Sequence, residues 1–561
     1  MSGANQTNRS TAATSRPTTV PTIATANSRS PRGRPVSAAS PAPAVVSIAA
    51  ARSPSFPMPA SVPHRPRPTV VRVEGRGSGA VPHATGALRR VFGSAWFIGL
   101  LATLATAVGS GVPSYWNDEA ATLRLARLPV ADMLAFVQEK DAVHVVYALL
   151  VHGWIAVFGE SEVAVRAPSA IAVGVATAGV VVLVRELGQP RAAVVAAVVF
   201  VVLPRTSFNG TEARSYALTT ALVTWAAVWA LRAGRNRGAG RWTVFAVLTG
   251  LAAATFVYAL LLVPAFVALA LLHGRVDRRR LVALAVAVAA AVVIAAPVLV
   301  TAASQGSQVG WLAHQPVNAW TVLVEPFAEQ AWWLAALLTT IVVVVGARRA
   351  RRPWVAHRRT VLALALWLLL PGAVLVLGSL LVTPVYTPRY LSMSTPAAAV
   401  VVGLAVAGVR RTVAWVLLAA VVLAAAPALV TMRTPLGKPA GTDLRGIART
   451  LQHEARPGDG FLLADGGTVS LRPRVALAAY PDAFAGLDDV AYRGSYRTTG
   501  SYSDRLVGTA ALRDRLRSEQ RVWLVVPDAG DRELRDALRA TGFAPAHREH
   551  VAGAEITLWT R

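Results

Sequence analysis

The chain has 561 residues, of which 54% are hydrophobic and only 15% are charged, and its mean hydropathy is +0.47. These values are typical of a polytopic membrane protein and exclude an ordinary soluble domain. The formal net charge of +27 does not indicate nucleic-acid binding, because the arginines are concentrated at the N-terminus and in short loops between apolar runs.

Residues 1–86 are rich in Ser, Thr, Pro, Ala and Arg, and Glu74 is their only acid. They lack sustained apolar periodicity, which predicts a disordered basic cytoplasmic tail. The chain contains no cysteine, which excludes disulfides and thiolate metal sites. Only Lys140 and Lys438 are lysine, and this usage is typical of a GC-rich bacterial genome.

Residues 87–431 alternate apolar runs with short loops, which predicts about eleven transmembrane helices. Arginine-rich loops fall on alternate connections and place the N-terminus in the cytoplasm. The first outer loop, residues 112–166, contains an apolar stretch at 143–158 that suits an interfacial helix. The predicted spans are residues 91–109, 167–184, 192–203, 216–231, 243–257, 259–272, 281–301, 332–345, 361–381, 392–409 and 413–430.

Two adjacent acids, Asp118 and Glu119, follow the first predicted span in the run PSYWNDEA (113–120). Carboxylates near the hydrocarbon of a membrane are costly, so this pair is a candidate catalytic or metal-binding site. The structural alternative is a helix start, with Asn117 as the N-cap and both acids complementing the helix dipole.

Two later outer loops place an arginine beside tyrosines at the outer end of a span, Arg214 in EARSY (212–216) and Arg389 in YTPRY (386–390). A guanidinium holds a phosphate through two parallel hydrogen bonds and stays charged. We therefore expect both arginines to bind the phosphate of a lipid-linked sugar while Asp118 accepts a hydroxyl proton. The alternative is an arginine that snorkels within an aromatic belt. Neighbouring candidates for the donor or acceptor pocket are Glu212, Tyr216, Tyr258, Tyr386 and Tyr390.

After residue 431 the composition changes, and PLGKP (435–439) predicts a linker. Strand-like residues 461–464, 522–526 and 556–559 then alternate with helix-like residues 444–454 and 532–541. This pattern predicts a small extracytoplasmic α/β domain over residues 432–561. The domain would cap the site or receive the acceptor.

The acid pair, EARSY, the late PRYL (388–391) and the outer C-terminal domain together resemble the GT-C-fold glycosyltransferases. The most similar groups are the dolichyl-phosphate-mannose protein mannosyltransferase-like and bacterial aminoarabinose transferase-like enzymes, over roughly residues 91–430. The resemblance implies a polyprenyl-phosphate-sugar donor, with Asp118 or Glu119 as catalytic base or metal ligand and Arg214 and Arg389 as phosphate ligands. Many such enzymes have His-Pro late in the first outer loop, where this chain has DAVHV (141–145). Asp141 and His144 are accordingly pocket candidates without an assigned role.

The expected function is transfer of a sugar, mannose by default, from a polyprenyl-phosphate donor to a glycan, lipid or protein acceptor. The reaction would take place at the outer face of the plasma membrane, in the cell envelope, with no nucleic-acid partner. A divalent cation held by Asp118, Glu119 and Asp141 is left open. A transporter would use the same charges but would favour internal repeats and broken helices near the midplane, which the sequence does not indicate. A non-catalytic scaffold would not need both the acids and the outer arginines.

Overall fold

The computed structural model describes residues 94–235, 238–272, 277–349, 358–439, 441–498 and 501–561. The predicted tail at 1–86 lies outside these ranges, as do the first residues of the first predicted span and most of the arginine-rich loop before residue 358.

The described residues between 94 and 431 form helices joined by loops, as predicted. Its helices are α1 (Ala95–Ala107), α2 (Asn117–Ala126), α3 (Val130–Glu139), α4 (Val145–Phe158), α5 (Glu162–Glu186), α6 (Ala193–Val202), α7 (Pro204–Gly210), α8 (Tyr216–Arg235), α9 (Ala239–Thr255), α10 (Val263–Ala270), α11 (Arg278–Ser304), α12 (Ala319–Leu323), α13 (Glu325–Ala328), α14 (Trp332–Arg349), α15 (Arg358–Leu381), α16 (Thr395–Val406) and α17 (Arg411–Thr431). Short 3₁₀-helices precede several of them, at Ala142–His144, Val257–Leu262, Gly306–His314 and Pro388–Ser394.

Within the described ranges, six helices are long and apolar enough to cross a membrane. The number is seven if the bent pair Pro190–Val202 and Pro204–Gly210 forms one span, and four further apolar helices are shorter. Each predicted span coincides with a described helix, so the helical membrane class is confirmed. The count of eleven crossings and their orientation stay predictions.

One broken helix was not expected from the sequence. Helices α6 and α7 meet at an angle of 66°. The break falls at Leu203, whose backbone is extended (φ −58°, ψ 123°) because the following Pro204 disfavours a helical conformation there. The second helix of the pair ends just before the EARSY segment (212–216), and therefore directs this segment toward the first outer loop.

Helix α1 packs closely against α5, and this contact positions the start of the first outer loop. A Cβ atom at Gly174 would lie 1.9 Å from Oγ1 of Thr103 and 2.5 Å from the carbonyl oxygen of Gly99. Only glycine fits such an approach, which is the common way in which membrane helices come into close contact.

The C-terminal segment forms a small α/β domain, as predicted. Its strands are β1 (Gly460–Leu463), β2 (Asp488–Asp489), β3 (Tyr492–Gly494), β4 (Arg505–Leu506), β5 (Arg521–Pro527), β6 (Ala544–Val551) and β7 (Ala554–Thr560). Its helices are α18 (Leu444–Glu454), α19 (Val475–Ala479), α20 (Thr509–Leu516) and α21 (Arg532–Ala540). The main sheet has the order β2-β1-β5-β7-β6, and β1 is parallel to both of its neighbours.

The C-terminal domain shares a hydrophobic core with the first outer loop. Leu123 of α2 is buried in one cluster with Ile447 and Trp523 of the domain. A hydrogen bond crosses the same boundary, since the backbone N–H of Tyr115 donates to Oη of Tyr480 at 2.9 Å. The domain is therefore packed directly against the helix that begins with the acid pair.

Candidate active site

Asp118 lies in the first turn of α2 and lines a cavity of about 1010 Å³. The helix begins at Asn117, but its N-cap is Trp116, whose side chain makes no capping bond. Nδ2 of Asn117 instead donates to Oδ1 of Asp118 at 2.9 Å. The position is favourable for an acid because the helix dipole is positive there, and the cavity is what distinguishes Asp118 from an ordinary capping acid.

Both predicted arginines reach Asp118. Nη1 of Arg389 donates to Oδ2 at 2.6 Å, and Nη2 of Arg214 lies 3.4 Å from the same oxygen. Burial alone would raise the pKa of Asp118, but the guanidinium groups of Arg214 and Arg389 outweigh it and lower this pKa to about 2. Asp118 is therefore ionised, and one carboxylate faces two cations in a cluster with one net positive charge.

Glu119, the neighbouring acid, is fully buried and paired with Arg166 of α5. Nε of Arg166 donates to Oε1 at 2.7 Å and Nη2 donates to Oε2 at 2.5 Å, while the backbone N–H of Ala213 donates to Oε1 at 3.0 Å. The remaining donors of Arg166 go to three carbonyl oxygens within residues 110–114. All five N–H groups of Arg166 are therefore used. The pair of Arg166 and Glu119 stabilises the start of the first outer loop and does not line the cavity.

The other predicted residues divide into two groups. Five line the same cavity as Asp118, namely Tyr216, Tyr258, Tyr390, Asp141 and His144. Tyr386 does not, because its Oη donates to the carbonyl oxygen of Thr321 at 2.6 Å. Glu212 is also buried away from the cavity, and burial raises the pKa of its carboxyl to about 7.

Asp141 has a left-handed backbone conformation, with φ 58° and ψ 37°. Two glutamines hold this turn: Oε1 of Gln308 accepts from the N–H of Asp141 at 3.1 Å, and Oε1 of Gln305 accepts from the N–H of Ala142 at 3.0 Å. Strained backbone of this kind persists where the surrounding structure over-determines it. The loop after α11 thus fixes Asp141 at the cavity wall.

Several residues of the site were missed from the sequence. Trp116 and Trp311 flank Arg389, whose Cζ lies 6.0 Å and 5.3 Å from the two ring centroids. Trp116 adjoins the acid pair, and Arg166 is a lone arginine at the predicted outer end of a span, where arginine is rare. These two carried a usable signal, whereas nothing in the sequence marks Trp311.

Lys438, in the predicted linker, was also missed. Its Nζ is buried, donates to the carbonyl oxygen of Thr211 at 2.6 Å and lies 4.3 Å from the ring centroid of Phe208. Burial lowers the pKa of Lys438 to about 8. The linker is therefore anchored to Thr211, directly before the EARSY segment. The rarity of lysine in this chain was the signal that could have identified Lys438.

The donor set does not suit a divalent cation in this arrangement. Asp118 is bound by Asn117 and Arg389, and both oxygens of Glu119 are held by Arg166. Among the residues that the structure describes, no three His, Asp or Glu side chains come together as metal ligands. Asp118 and Glu119 therefore form ion pairs with arginines in this structure.

Residues 143–300 match the dolichyl-phosphate-mannose-protein mannosyltransferase family. The structure is similar to ArnT from Cupriavidus metallidurans bound to undecaprenyl phosphate, with 13% identity, coverage of 85% of this chain and 98% of ArnT, and a TM-score of 0.55. For ArnT in the apo state the values are 12%, 85%, 98% and 0.53. The Archaeoglobus fulgidus oligosaccharyltransferase in complex with Zn and sulfate is 12% identical, over 76% of this chain and 67% of that one, with a TM-score of 0.45. No curated protein matches the chain.

Proposed function

Because the chain has the GT-C fold of membrane glycosyltransferases, we propose that it transfers a sugar from a polyprenyl-phosphate donor to an acceptor at the outer face of the plasma membrane. Mannose is the proposed sugar, supported by the family that residues 143–300 match. Undecaprenyl phosphate is the natural model of the carrier, since the similar ArnT structure contains it.

The observation that carries this proposal is the cluster of Asp118, Arg214 and Arg389. Its single net positive charge matches the single negative charge of a phosphodiester. Guanidinium groups bind phosphate oxygens through strong charge-assisted hydrogen bonds. The side chains of the three residues are 11% to 23% exposed, so a ligand in the cavity can reach them.

The rest of the cavity supports the same orientation of the donor. Phe256, Val257, Tyr258 and Val385 form an apolar part of its lining beside the membrane helices. A prenyl chain is stabilised by such surface, at about 25 cal/mol for each Å² removed from water. We propose that the chain leaves the cavity at this apolar end while the phosphate meets Arg214 and Arg389.

The donor also makes Asp118 a better base. While Arg214 and Arg389 contact Asp118, they hold its pKa low and its proton affinity is weak. A bound phosphodiester competes for both guanidinium groups, which removes stabilisation of the charged carboxylate and raises its proton affinity. Donor binding thereby makes Asp118 a stronger base before it accepts the proton of the acceptor hydroxyl.

The proposed step is a single displacement at the anomeric carbon. Asp118 takes the proton of the acceptor hydroxyl as its oxygen forms the new bond to this carbon. The bond from the carbon to the phosphate oxygen breaks, and the electron pair leaves with the polyprenyl phosphate. Arg214 and Arg389 stabilise the second negative charge that develops on this leaving group. A single displacement inverts the configuration of the sugar.

Purified full-length protein in liposomes tests the proposal. Undecaprenyl phosphate carrying radiolabelled mannose, glucose or arabinose is added with a membrane extract, and both transferred label and free undecaprenyl phosphate are measured. We expect both products from wild type with one of the donors and a large loss in Asp118→Asn. Cleavage of none of the donors, or equal cleavage by the variant, would contradict the proposal.

A transporter is the second candidate, and the broken pair α6 and α7 favours it. The same liposomes distinguish the two. A transporter would move the labelled lipid or sugar across the bilayer without cleaving the bond between sugar and phosphate.

A further inference from the structure

We infer that the C-terminal domain forms the acceptor subsite at the carboxyl end of β1, and that this subsite binds an uncharged sugar unit of a glycan. The inference rests on the proposed function and identifies its second substrate by chemical class. The cavity that contains Asp118 extends to this domain, which contributes Asp465, Thr468 and Arg472 to its lining.

The position of these residues in the sheet is typical of a ligand site. Strand β1 runs parallel to β2 and β5, and Asp465 follows two residues after its end. Ligands of open α/β sheets bind outside the carboxyl ends of parallel strands. In this chain that edge of the sheet opens into the cavity shared with the membrane region.

Two arginines in the lining of this part of the cavity, Arg124 and Arg474, are neutralised by ion pairs. Nη2 of Arg124 lies 3.0 Å from Oδ2 of Asp504, and Nη2 of Arg474 lies 2.5 Å from Oδ2 of Asp489. Arg124 and Arg474 are nearly buried and their charges are matched. These two arginines therefore contribute to the cavity lining without adding a net charge that could bind an ionic ligand.

Four charged residues remain, and they also balance. Asp465 and Asp141 are acids, whereas Arg472 and Lys140 are bases, and all four line the cavity. Nη1 of Arg472 is 3.8 Å from Oδ1 of Asp465, which is beyond hydrogen-bond distance. The carboxylate of Asp465 and the guanidinium of Arg472 are therefore neighbours that do not form a hydrogen bond with each other.

Such a pair fits the hydroxyl groups of a sugar. Each hydroxyl donates one hydrogen bond and accepts others, so neighbouring hydroxyls can donate to Asp465 and accept from Arg472. A phosphate-bearing acceptor would favour an excess of cations, as found around Asp118, and a lipid tail would need apolar lining. The two parts of the cavity differ in net charge, which is positive around Asp118 and balanced around Asp465. This difference assigns the charged donor to Arg214 and Arg389 and the neutral acceptor to the C-terminal domain.

The experiment uses the purified full-length protein in liposomes. Donors are the three radiolabelled undecaprenyl-phosphate sugars named above, and acceptors are free α-1,6-mannobiose, the same disaccharide linked to a lipid, and mannose 6-phosphate. Variants Asp465→Asn and Arg472→Gln are compared with wild type. Matched controls are Asp514→Asn and Arg517→Gln, an ion pair of the same domain at 3.3 Å whose side chains are more than 70% exposed.

We expect the KM for mannobiose to rise at least tenfold in Asp465→Asn and Arg472→Gln, with unchanged binding of undecaprenyl phosphate and unchanged controls. The free and lipid-linked disaccharides show whether the glycan is soluble or membrane-bound. An unchanged acceptor KM, preference for mannose 6-phosphate, or transfer to neither uncharged acceptor would overturn the inference, while donor cleavage in the presence of the membrane extract would still support the proposed function. Failure of wild type to cleave any donor even with the membrane extract would refute the proposed function, and the inference with it.

Discussion

Replacing Glu119 with Gln should destabilise the protein strongly, although the side chain keeps its shape. Arg166 and Glu119 are both 0% exposed at their side chains. Glutamine can still accept hydrogen bonds from Arg166 and from the N–H of Ala213, but it supplies no charge. The substitution leaves a buried guanidinium without its counter-charge. Burial opposes ionisation of Glu119, but Arg166 outweighs it and lowers the pKa of this carboxyl.

The expected magnitude follows from this burial. Removing one partner of a buried ion pair costs about 3 to 5 kcal/mol, whereas native proteins are stable by only about 5 to 15 kcal/mol. We therefore expect Glu119→Gln to lose about a fifth or more of the free energy of unfolding. The same reasoning predicts reduced abundance in the membrane before any effect on chemistry.

Glu160 provides the matched control. Arg127 binds it through the same two donors, Nε at 2.9 Å and Nη2 at 2.7 Å, although both bonds go to Oε2, and the two side chains are 22% and 39% exposed. Exposed pairs contribute about 0 to 1 kcal/mol. Unfolding in one detergent, followed by tryptophan fluorescence, compares Glu160→Gln, Glu119→Gln and wild type. Equal stability of the two variants would refute the assignment of Glu119 to structure.

Four further results are expected. Asp118→Asn should accumulate normally but transfer sugar about a hundredfold to ten-thousandfold more slowly, because a general base is lost; a wild-type rate measured beside membrane abundance would end the catalytic assignment. Arg214→Ala and Arg389→Ala should each weaken donor binding by about 1.5 to 3 kcal/mol, the usual contribution of hydrogen bonds to charged groups, with poor rescue by lysine; unchanged donor affinity in both would exclude the phosphate role. Burial raises the pKa of Glu212 to about 7 from its usual value of 4.5, so the native state holds a proton that the unfolded state releases, and stability should fall as pH rises through this interval; thermal unfolding from pH 4 to 9 should show a weaker decline in Glu212→Gln, and an identical profile would contradict the buried position. A reporter fused after Arg561 should be active outside the cytoplasm, and activity only in the cytoplasm would show that the predicted topology is wrong.

The helical class was predictable because it depends on local composition. Apolar runs such as 281–301 are long enough to be recognised without knowledge of their neighbours, and they coincide with helices such as α11. The α/β character of the C-terminal segment was predictable for a similar reason, since short apolar strands alternate there with amphipathic helices. The break at Leu203 coincides with the end of a predicted span, but helix α7 was missed because the run RTSFNG (205–210) after Pro204 is polar and resembles a loop.

The candidate site was predictable only in part. Asp118, Arg214 and Arg389 could be grouped because each lies in a polar loop on one predicted side of the membrane. Their contact itself, across 271 residues between Asp118 and Arg389, is a tertiary property. Sequence alone favoured Asp118 as the base but could not assign Glu119 its structural role, because adjacent residues of a helix point in different directions and the partner of Glu119, Arg166, lies 47 residues away.

The contact between Tyr115 and Tyr480 also determines when the site is completed during synthesis. The two residues are 365 positions apart. At about 5 to 20 residues per second, Tyr480 is made roughly 20 to 70 s after Tyr115. Throughout this interval Leu123 lacks Ile447 and Trp523, its partners in the shared core. The helix with Asp118 is thus among the first parts of the site to be translated and among the last to be finished, and a truncated chain has the proposed base without the packing that holds it in place.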